Sequence, residues 1–372
     1  MKFLRIQDAR ALLVVAVLGV PPAALAEILV GQSAGFTGGQ AQYSKDVKTG
    51  IQAHLEAVNR AGGVGGQLIK LITEDDKGNR EQVVANTKKL IEKDNVLALI
   101  GYTSGAGTEG ALPLIESARV PMLSPATGNA AIREGFHRFL FHSRAGYGDE
   151  MRRIVDTLAL IGLQRFALVF LQDTTANRKV MEEALTANNL KPVTALGLDR
   201  NAKDFGPAVD ALLKANPQAI LFITNARPLV EVVRGMKKRN YTGEFVSSSF
   251  AGVGFLEELK DDAVGVKVSQ VLPPPSKTNL RLVREFREQL GQVDPQAKPN
   301  YTNFEGYIAA RILVEGLRRA GRNPTRERFV QALESLKEVD LGGYVIGFTP
   351  KNHDGSHFVD IGVVNSRKAL VF

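Results

Sequence analysis

Residues 96–129, VLALIGYTSGAGTEGALPLIESARVPMLSPATGN, constrain the fold of this chain more than any other stretch. An apolar strand runs into small polar residues and a helical pattern follows. A second short strand then ends in Ser124, Pro125, Ala126, Thr127 and Gly128. Strand, loop, helix, strand, loop is the repeating unit of a parallel sheet, and in such a sheet both loops leave the same edge. Thr103, Ser104, Thr127 and the neighbouring backbone N–H groups can therefore converge on one small anion at helix N-termini. The stretch reads as a ligand cradle.

The same alternation continues on both sides. Residues 27–33 form an apolar run that ends in a glycine-rich loop at 35–39, and a helical pattern over 43–60 places Val47, Ile51, Leu55 and Val58 on one face. A strand at 68–73, a polar turn at 74–79 and a helix at 81–93 come next. After a short strand at 139–142 and a helix at 149–162, a second series begins. Its strands fall at 166–171, 193–198, 219–224, 245–248 and 264–271, with helices near 178–189, 205–215, 228–239 and 254–259. Pro273, Pro274 and Pro275 interrupt the chain. Helices at 279–290, 301–320 and 326–336 then follow without strands between them, and strands at 344–348 and 357–364 close the sequence. Two βα series predict an α/β fold of two lobes, each a doubly wound parallel sheet flanked by helices.

Composition narrows the setting. With 372 residues, 44% hydrophobic and 23% charged, the chain is long enough for two lobes of ordinary size. Residues 1–26 read as a cleavable secretory signal: Lys2, Arg5 and Arg10, an unbroken apolar run at 11–20, then Ala24-Leu25-Ala26 before Glu27. That apolar run is shorter than the ~18 residues a spanning helix needs. With no cysteine in the sequence, no disulfide, thiolate metal site or lipid-anchored cysteine is expected, and a periplasmic protein free of a lipid anchor fits best. The formal charge of +8 falls to +6 once the signal's three cations and Asp8 are removed. Basic residues are interspersed with acidic ones, as at Lys88, Lys89 and Glu92, which argues for solvated helix faces and against a nucleic-acid partner.

Several motifs invite an enzyme or cofactor reading. Residues 31–35, GQSAG, match the nucleophile elbow of α/β hydrolases, with His353, Asp354 and His357 later in the chain. An elbow turns directly from a strand into a helix, whereas here a glycine-rich loop intervenes, so a secreted hydrolase using Ser33 is a remote alternative. Residues 105–110, GAGTEG, match the dinucleotide fingerprint. The next strand ends in Ser124-Pro125 without the acid that would hold a ribose, and no cofactor is expected. The five histidines lack a convincing third ligand for zinc, and Asp75-Asp76 reads as a polar turn, so no metal is expected either.

Four segments taken together are more specific: 31–76, LIGYTSGAGT at 99–108, VPMLSPATG at 120–128 and FEGYIAARILVEGL at 304–317. In this order and spacing they resemble the periplasmic leucine/isoleucine/valine-binding family of ABC-transporter solute-binding proteins, with the type I periplasmic binding fold. The resemblance implies three crossovers near 142–146, 271–276 and 346–350. One lobe would comprise 27–143 with 275–347, the other 144–274 with 348–372. It further implies a monomer that binds a small solute between the lobes, closes by a hinge, and presents a new surface to the permease and ATPase of an ABC importer, without catalysis. Carried over by position, the site comprises Thr103, Ser104 and Gly105, then Ala126, Thr127 and Gly128, around a ligand carboxylate. Ser249 comes from the other lobe, and Phe36, Tyr102, Tyr147 and Phe250 are candidate apolar walls. Serine and threonine donate hydrogen bonds, and glycine lets backbone approach an anion closely.

The sequence departs from the family pattern at three positions. Gly128 stands where amino-acid binders place a hydroxyl, and Ala176 and Ser249 stand where they place a tyrosine and an acid for the ligand ammonium. A buried ammonium without a carboxylate is expensive. Two ligand classes stay open: a branched-chain or related amino acid whose amine finds another partner, with Asp173 one candidate, or an aromatic or aliphatic carboxylic acid or an amide. A sensory ligand-binding partner of a membrane receptor is the alternative role.

Overall fold

The computed structural model describes residues 27–200 and 202–372, and the signal-peptide reading of 1–26 lies outside the described residues. The chain opens with β1 (Glu27–Ala34), α1 (Ala41–Arg60), β2 (Leu68–Asp75), α2 (Arg80–Glu92), β3 (Ala98–Ile100), α3 (Gly105–Ala118), β4 (Met122–Leu123) and β5 (Leu140–Phe141). These strands form one parallel sheet in the order β2-β1-β3-β4-β5. Helix α1 buries the predicted stripe of Val47, Ile51, Leu55 and Val58.

The second series comprises α4 (Tyr147–Leu160), β6 (Phe166–Leu171), α5 (Thr175–Thr186), β7 (Pro192–Leu198), α6 (Gly206–Ala215), β8 (Ala219–Ile223), α7 (Ala226–Lys238), β9 (Glu244–Ser247), α8 (Phe255–Leu259) and β10 (Lys267–Gln270). Then follow α9 (Arg281–Val293), α10 (Tyr301–Ala320), α11 (Arg326–Glu334), β11 (Val339–Asp340), β12 (Val345–Ile346), β13 (Asp360–Val364) and β14 (Leu370–Val371). The second sheet has the order β14-β13-β10-β9-β8-β6-β7. Its central strands are apolar throughout because both faces are covered. Val169, Ile220 and Phe222 pack with Val209, Leu229 and Val233 on one face, while Leu168, Leu221 and Ile223 pack with Met151, Ile154 and Leu185 on the other. Alternate residues serve opposite cores, as the pleat requires.

The late helices return to the first sheet: Phe286, Phe304, Tyr307 and Phe329 share a buried cluster with Val30, Ile51 and Leu99. The crossing of α1 and α10 is very close. A Cβ on Gly50 would lie 1.8 Å from Asn303 O, and one on Gly306 would lie 2.1 Å from Val47 O. Only hydrogen at both positions lets these two backbones touch.

Two expectations need correction. The second sheet is not wholly parallel, because β13 runs antiparallel to β10 and β14 antiparallel to β13. The strand expected at 344–348 shrinks to β12, which pairs with the unanticipated β11 in a hairpin outside both sheets. Two-residue strands are too short to leave a period-two signal.

Where the chain passes between the sheets, its segments are laced together. His142 N–H donates to His353 O at 2.9 Å, and Gly355 N–H donates to His142 O at 2.7 Å. The Tyr344 hydroxyl, buried just before β12, donates to Ser143 O at 2.8 Å, with Val271 O at 3.4 Å.

Candidate functional site

At the carboxyl edge of the first sheet the two predicted loops meet. Ala126 N–H donates to Tyr102 O at 2.8 Å. Gly105 opens α3 so close to Asn129 that a Cβ there would sit 2.5 Å from the Asn129 amide nitrogen. Ser104 caps α3, its Oγ accepting the Gly107 N–H at 3.0 Å. The buried Thr103 places Oγ1 3.0 Å from Ser44 Oγ. The buried Thr127 accepts the Asn129 N–H at 3.3 Å and lies 3.4 Å from Tyr147 OH. Gly128 O accepts the Tyr147 N–H at 2.8 Å, and a Cβ on Gly128 would meet the Tyr147 ring at 2.5 Å. Tyr147 thus packs against the second loop, and burial pushes its hydroxyl up to about 12.

The proposed walls fare unevenly. Tyr147 and Phe250 pair, with ring centroids 5.7 Å apart. Tyr102 is turned away: its side chain is fully buried in the first core, its hydroxyl 3.1 Å from Thr87 Oγ1, so only its backbone belongs to the cradle. The cause is the alternation of side chains at a strand end, which sends Tyr102 under α2. Phe36 is tied to the end of β2 instead, its N–H bonded to Asp75 Oδ1 at 2.9 Å and Lys48 Nζ 5.3 Å above its ring. Asp173 does not supply a charge to the cradle, because its carboxylate pairs with Arg200 at 2.5 Å in a partly exposed position.

Ser249 leads to the part of the site that sequence reasoning missed. Its N–H donates to Glu150 Oε2 at 2.7 Å and its hydroxyl to Glu150 Oε1 at 2.9 Å. Ser269 Oγ also donates to Oε2, at 2.5 Å. Arg144 lies between the sheets and completes the cluster. Its Nη2 reaches Glu150 Oε1 and Ser249 Oγ, both at 2.5 Å, and its Nη1 reaches Glu305 Oε1 at 3.3 Å. Arg144 is 1% exposed and Glu150 0%. Burial opposes the Arg144 charge, but Glu305 and Glu150 more than offset it, so the guanidinium stays charged. Burial raises the Glu305 carboxyl, with Arg144 pulling partly the other way. Tyr43, from the first turn of α1, covers the cradle by donating from its hydroxyl to Ala126 O at 2.9 Å. One signal marked the acids: Glu150 lies on the same face as Tyr147, Ile154 and Leu158, and Glu305 sits among the buried residues of α10. An acid on an apolar face requires a buried partner.

Outward from this cluster, a cleft of about 700 Å³ separates the two sheets' elements. Tyr43, Asp46 and Asn300 line one wall, and Asn225, Phe250 and Glu257 the other. The competing motifs have structural roles. Ser33 Oγ donates to Asp76 Oδ2 at 3.0 Å and accepts from Asn86 at 3.1 Å, with no histidine in that network. The glycines of 105–110 make room for side chains: a Cβ on Gly107 would meet Val83 at 2.5 Å, and one on Gly110 would meet Arg80 at 3.1 Å. Asp75 accepts the N–H groups of Phe36, Thr37 and Lys77, which is the work of a polar turn. His353 stacks on Phe141 with centroids 3.8 Å apart. Among the described residues no group of three or more histidine or acidic side chains is arranged to hold a metal.

Two α/β sheets, a laced junction and a polar cleft between them are matched by comparison with known proteins. The sequence model of the periplasmic binding protein family matches residues 27–369. The chain belongs to that family. Family members are periplasmic, bind small ligands and deliver them to ABC transporters, and solute binding is the role of this chain. It is 25% identical to an amino acid binding protein of Pseudomonas aeruginosa over 351 residues, covering 90% of this chain and 91% of the other. It is 23% identical to Leu/Ile/Val-binding protein homolog 1 of Brucella abortus, covering 92% and 95%. The crystal structure of a substrate-binding periplasmic protein from Ralstonia solanacearum superposes with a TM-score of 0.87 at 30% identity, covering 93% of this chain and 99% of that one.

Proposed function

We propose that this chain captures a small carboxylate-bearing solute, a branched-chain or related amino acid, between its lobes and hands it to an ABC permease and ATPase. It does so as a monomer exported by a cleavable signal, without catalysis. The carrying observation is that Thr127 and Gly128 of the second loop meet Tyr147, whose ring lies under the Arg144 guanidinium that reaches Ser249. On this reading the lobes divide at 143/144, 274/275 and 347/348, and closure brings Asn177 of α5 to the cradle, where its Oδ1 accepts the Ala130 N–H at 3.1 Å. The relatives named for amino acids support that ligand class. A carboxylic acid lacking the amine is the second reading, favoured by Ala176 and by a Glu150 carboxylate already fully engaged.

The test is a thermal-shift screen of the mature protein against amino acids, their deaminated acids and amides. A ligand at ~100 times its dissociation constant stabilises by about 2.7 kcal/mol. For whichever solute binds, Thr127→Val is expected to weaken affinity about tenfold, because a hydrogen bond to a charged group is lost. Unchanged affinity in that variant would remove Thr127 from the cradle.

A further inference from the structure

We propose that Glu305, on the first-lobe helix α10, receives the cationic amine of the bound solute, in place of the second-lobe acid that Ser249 lacks. The inference rests on the reading that a small carboxylate-bearing solute occupies the cleft.

The two buried acids of the cluster differ in what they have left to offer. A carboxylate has about four acceptor positions. Glu150 fills them with Arg144 Nη2 and Ser249 Oγ on one oxygen, and Ser249 N–H and Ser269 Oγ on the other. It holds the arginine and the β9 end in place and has no room for an ammonium. Glu305 accepts one long bond, from Arg144 Nη1 at 3.3 Å, on Oε1. Its side chain is 10% exposed and lines a small cavity together with Tyr43, Ser249 and Thr302.

Charge points the same way. Arg144 alone bonds both carboxylates, Arg133 being paired with Asp354, and an uncompensated negative charge at such depth is costly. A ligand ammonium beside Glu305 makes the set neutral. Without a ligand the alternative is a proton, and burial does raise the Glu305 carboxyl. The charged and titratable groups facing Glu305 are Arg144 from the segment between β5 and α4, Glu150 from α4, Arg133, Tyr43 from α1 and Tyr344. Outside, Asp46, Glu257, Glu258 and Asp294 line the cleft against Lys45 and Lys298, an acidic mouth on a chain whose formal charge is +8. Such a mouth draws cations inward. The two anchoring points are also close. Tyr43 bonds Ala126 O of the cradle through its hydroxyl and lines the cavity of Glu305, so one tyrosine side chain spans the distance a small solute must bridge.

The experiment is calorimetric titration of the mature protein with matched pairs, each of the twenty common L-amino acids against its deaminated acid (L-leucine against 4-methylpentanoate, L-phenylalanine against 3-phenylpropanoate), at pH 6 and pH 8. Binding by an amino acid at least about tenfold tighter than by its deaminated partner is expected. Its affinity is also expected to rise with pH, because Glu305 must release its proton to pair with the ammonium. Glu305→Gln should remove both effects, so that the amino acid binds no more tightly than its deaminated partner at either pH, with the variant's folding checked by its own thermal melt. The wild-type pairs decide the matter even where that variant folds poorly. Equal binding by the deaminated partner, or full amine affinity in Glu305→Gln, would overturn the proposal while leaving solute capture intact. Absence of binding by both members of every pair would contradict the underlying reading as well.

Discussion

Arg144→Met is expected to lower the folding stability of this protein by about 3–5 kcal/mol at neutral pH. The guanidinium is 1% exposed and bonds Glu150, Ser249, Glu305 and the Ala145 carbonyl, so it joins α4, the end of β9 and α10 at the point where the chain passes between sheets. Removing it leaves two buried carboxylates without a cation. Deleting one partner of a buried ion pair costs more than the pair itself contributes, because the remaining charge has neither water nor counter-ion. The sign with pH follows. Burial already raises the folded-state pKa of the Glu305 carboxyl above its unfolded value, and without the guanidinium nothing at Oε1 pulls it back. Its protonated, stabilising form is present at low pH and is lost as pH rises through the folded pKa. Urea unfolding should therefore show a larger deficit at pH 8 than at pH 5. A loss under about 1 kcal/mol, or one independent of pH, would mean that the cluster is solvated rather than sealed.

Gly306→Ala is expected to cost about 3 kcal/mol or more, for a steric rather than an electrostatic reason. The added methyl would enter within 2.1 Å of Val47 O and 2.9 Å of its carbonyl carbon, both backbone atoms that no rotamer change can move. Helices α1 and α10 would have to separate, which opens the cluster of Val47, Ile51, Phe304 and Tyr307 and shifts Tyr43 off the cradle. The control is Gly291→Ala in α9, where a Cβ meets nothing within 4 Å. That exchange should be neutral or stabilise by up to about 1 kcal/mol through helix propensity. Equal melting temperatures for the two variants would contradict the close crossing.

How far the sequence could be read depended on the length scale of each feature. Helix α1 announced itself because Val47, Ile51, Leu55 and Val58 repeat over three turns, and β6 and β8 because both faces are buried and the runs are apolar throughout. Strands β11 and β14, two residues each, carry no periodicity and were invisible. The antiparallel edge at β13 depends on a partner about ninety residues earlier, which local pattern does not encode. At the site, the loops after β3 and β4 were legible because their small polar residues serve a local purpose, capping a helix and admitting close backbone contact. Arg144 was not, since it is explained only by Glu150, Ser249 and Glu305 from three distant segments, and the two acids were marked only by their places on buried helix faces. Tyr102 failed for a related reason: whether a strand-end side chain faces a cleft or a core depends on register, and one residue reverses it.

The central claim is that a solute binds between lobes that close around it. Because the sequence contains no cysteine, two introduced cysteines carry spin labels without competing sites. Gln42→Cys and Gly254→Cys place them on facing walls of the cleft. Pulsed dipolar spectroscopy would record their separation in ligand-stripped protein, and again with a mixture of L-amino acids and their deaminated acids. The account predicts a broad distribution that becomes shorter and narrower when the mixture is added. An unchanged distribution, in protein whose thermal melt shows it folded, would contradict it.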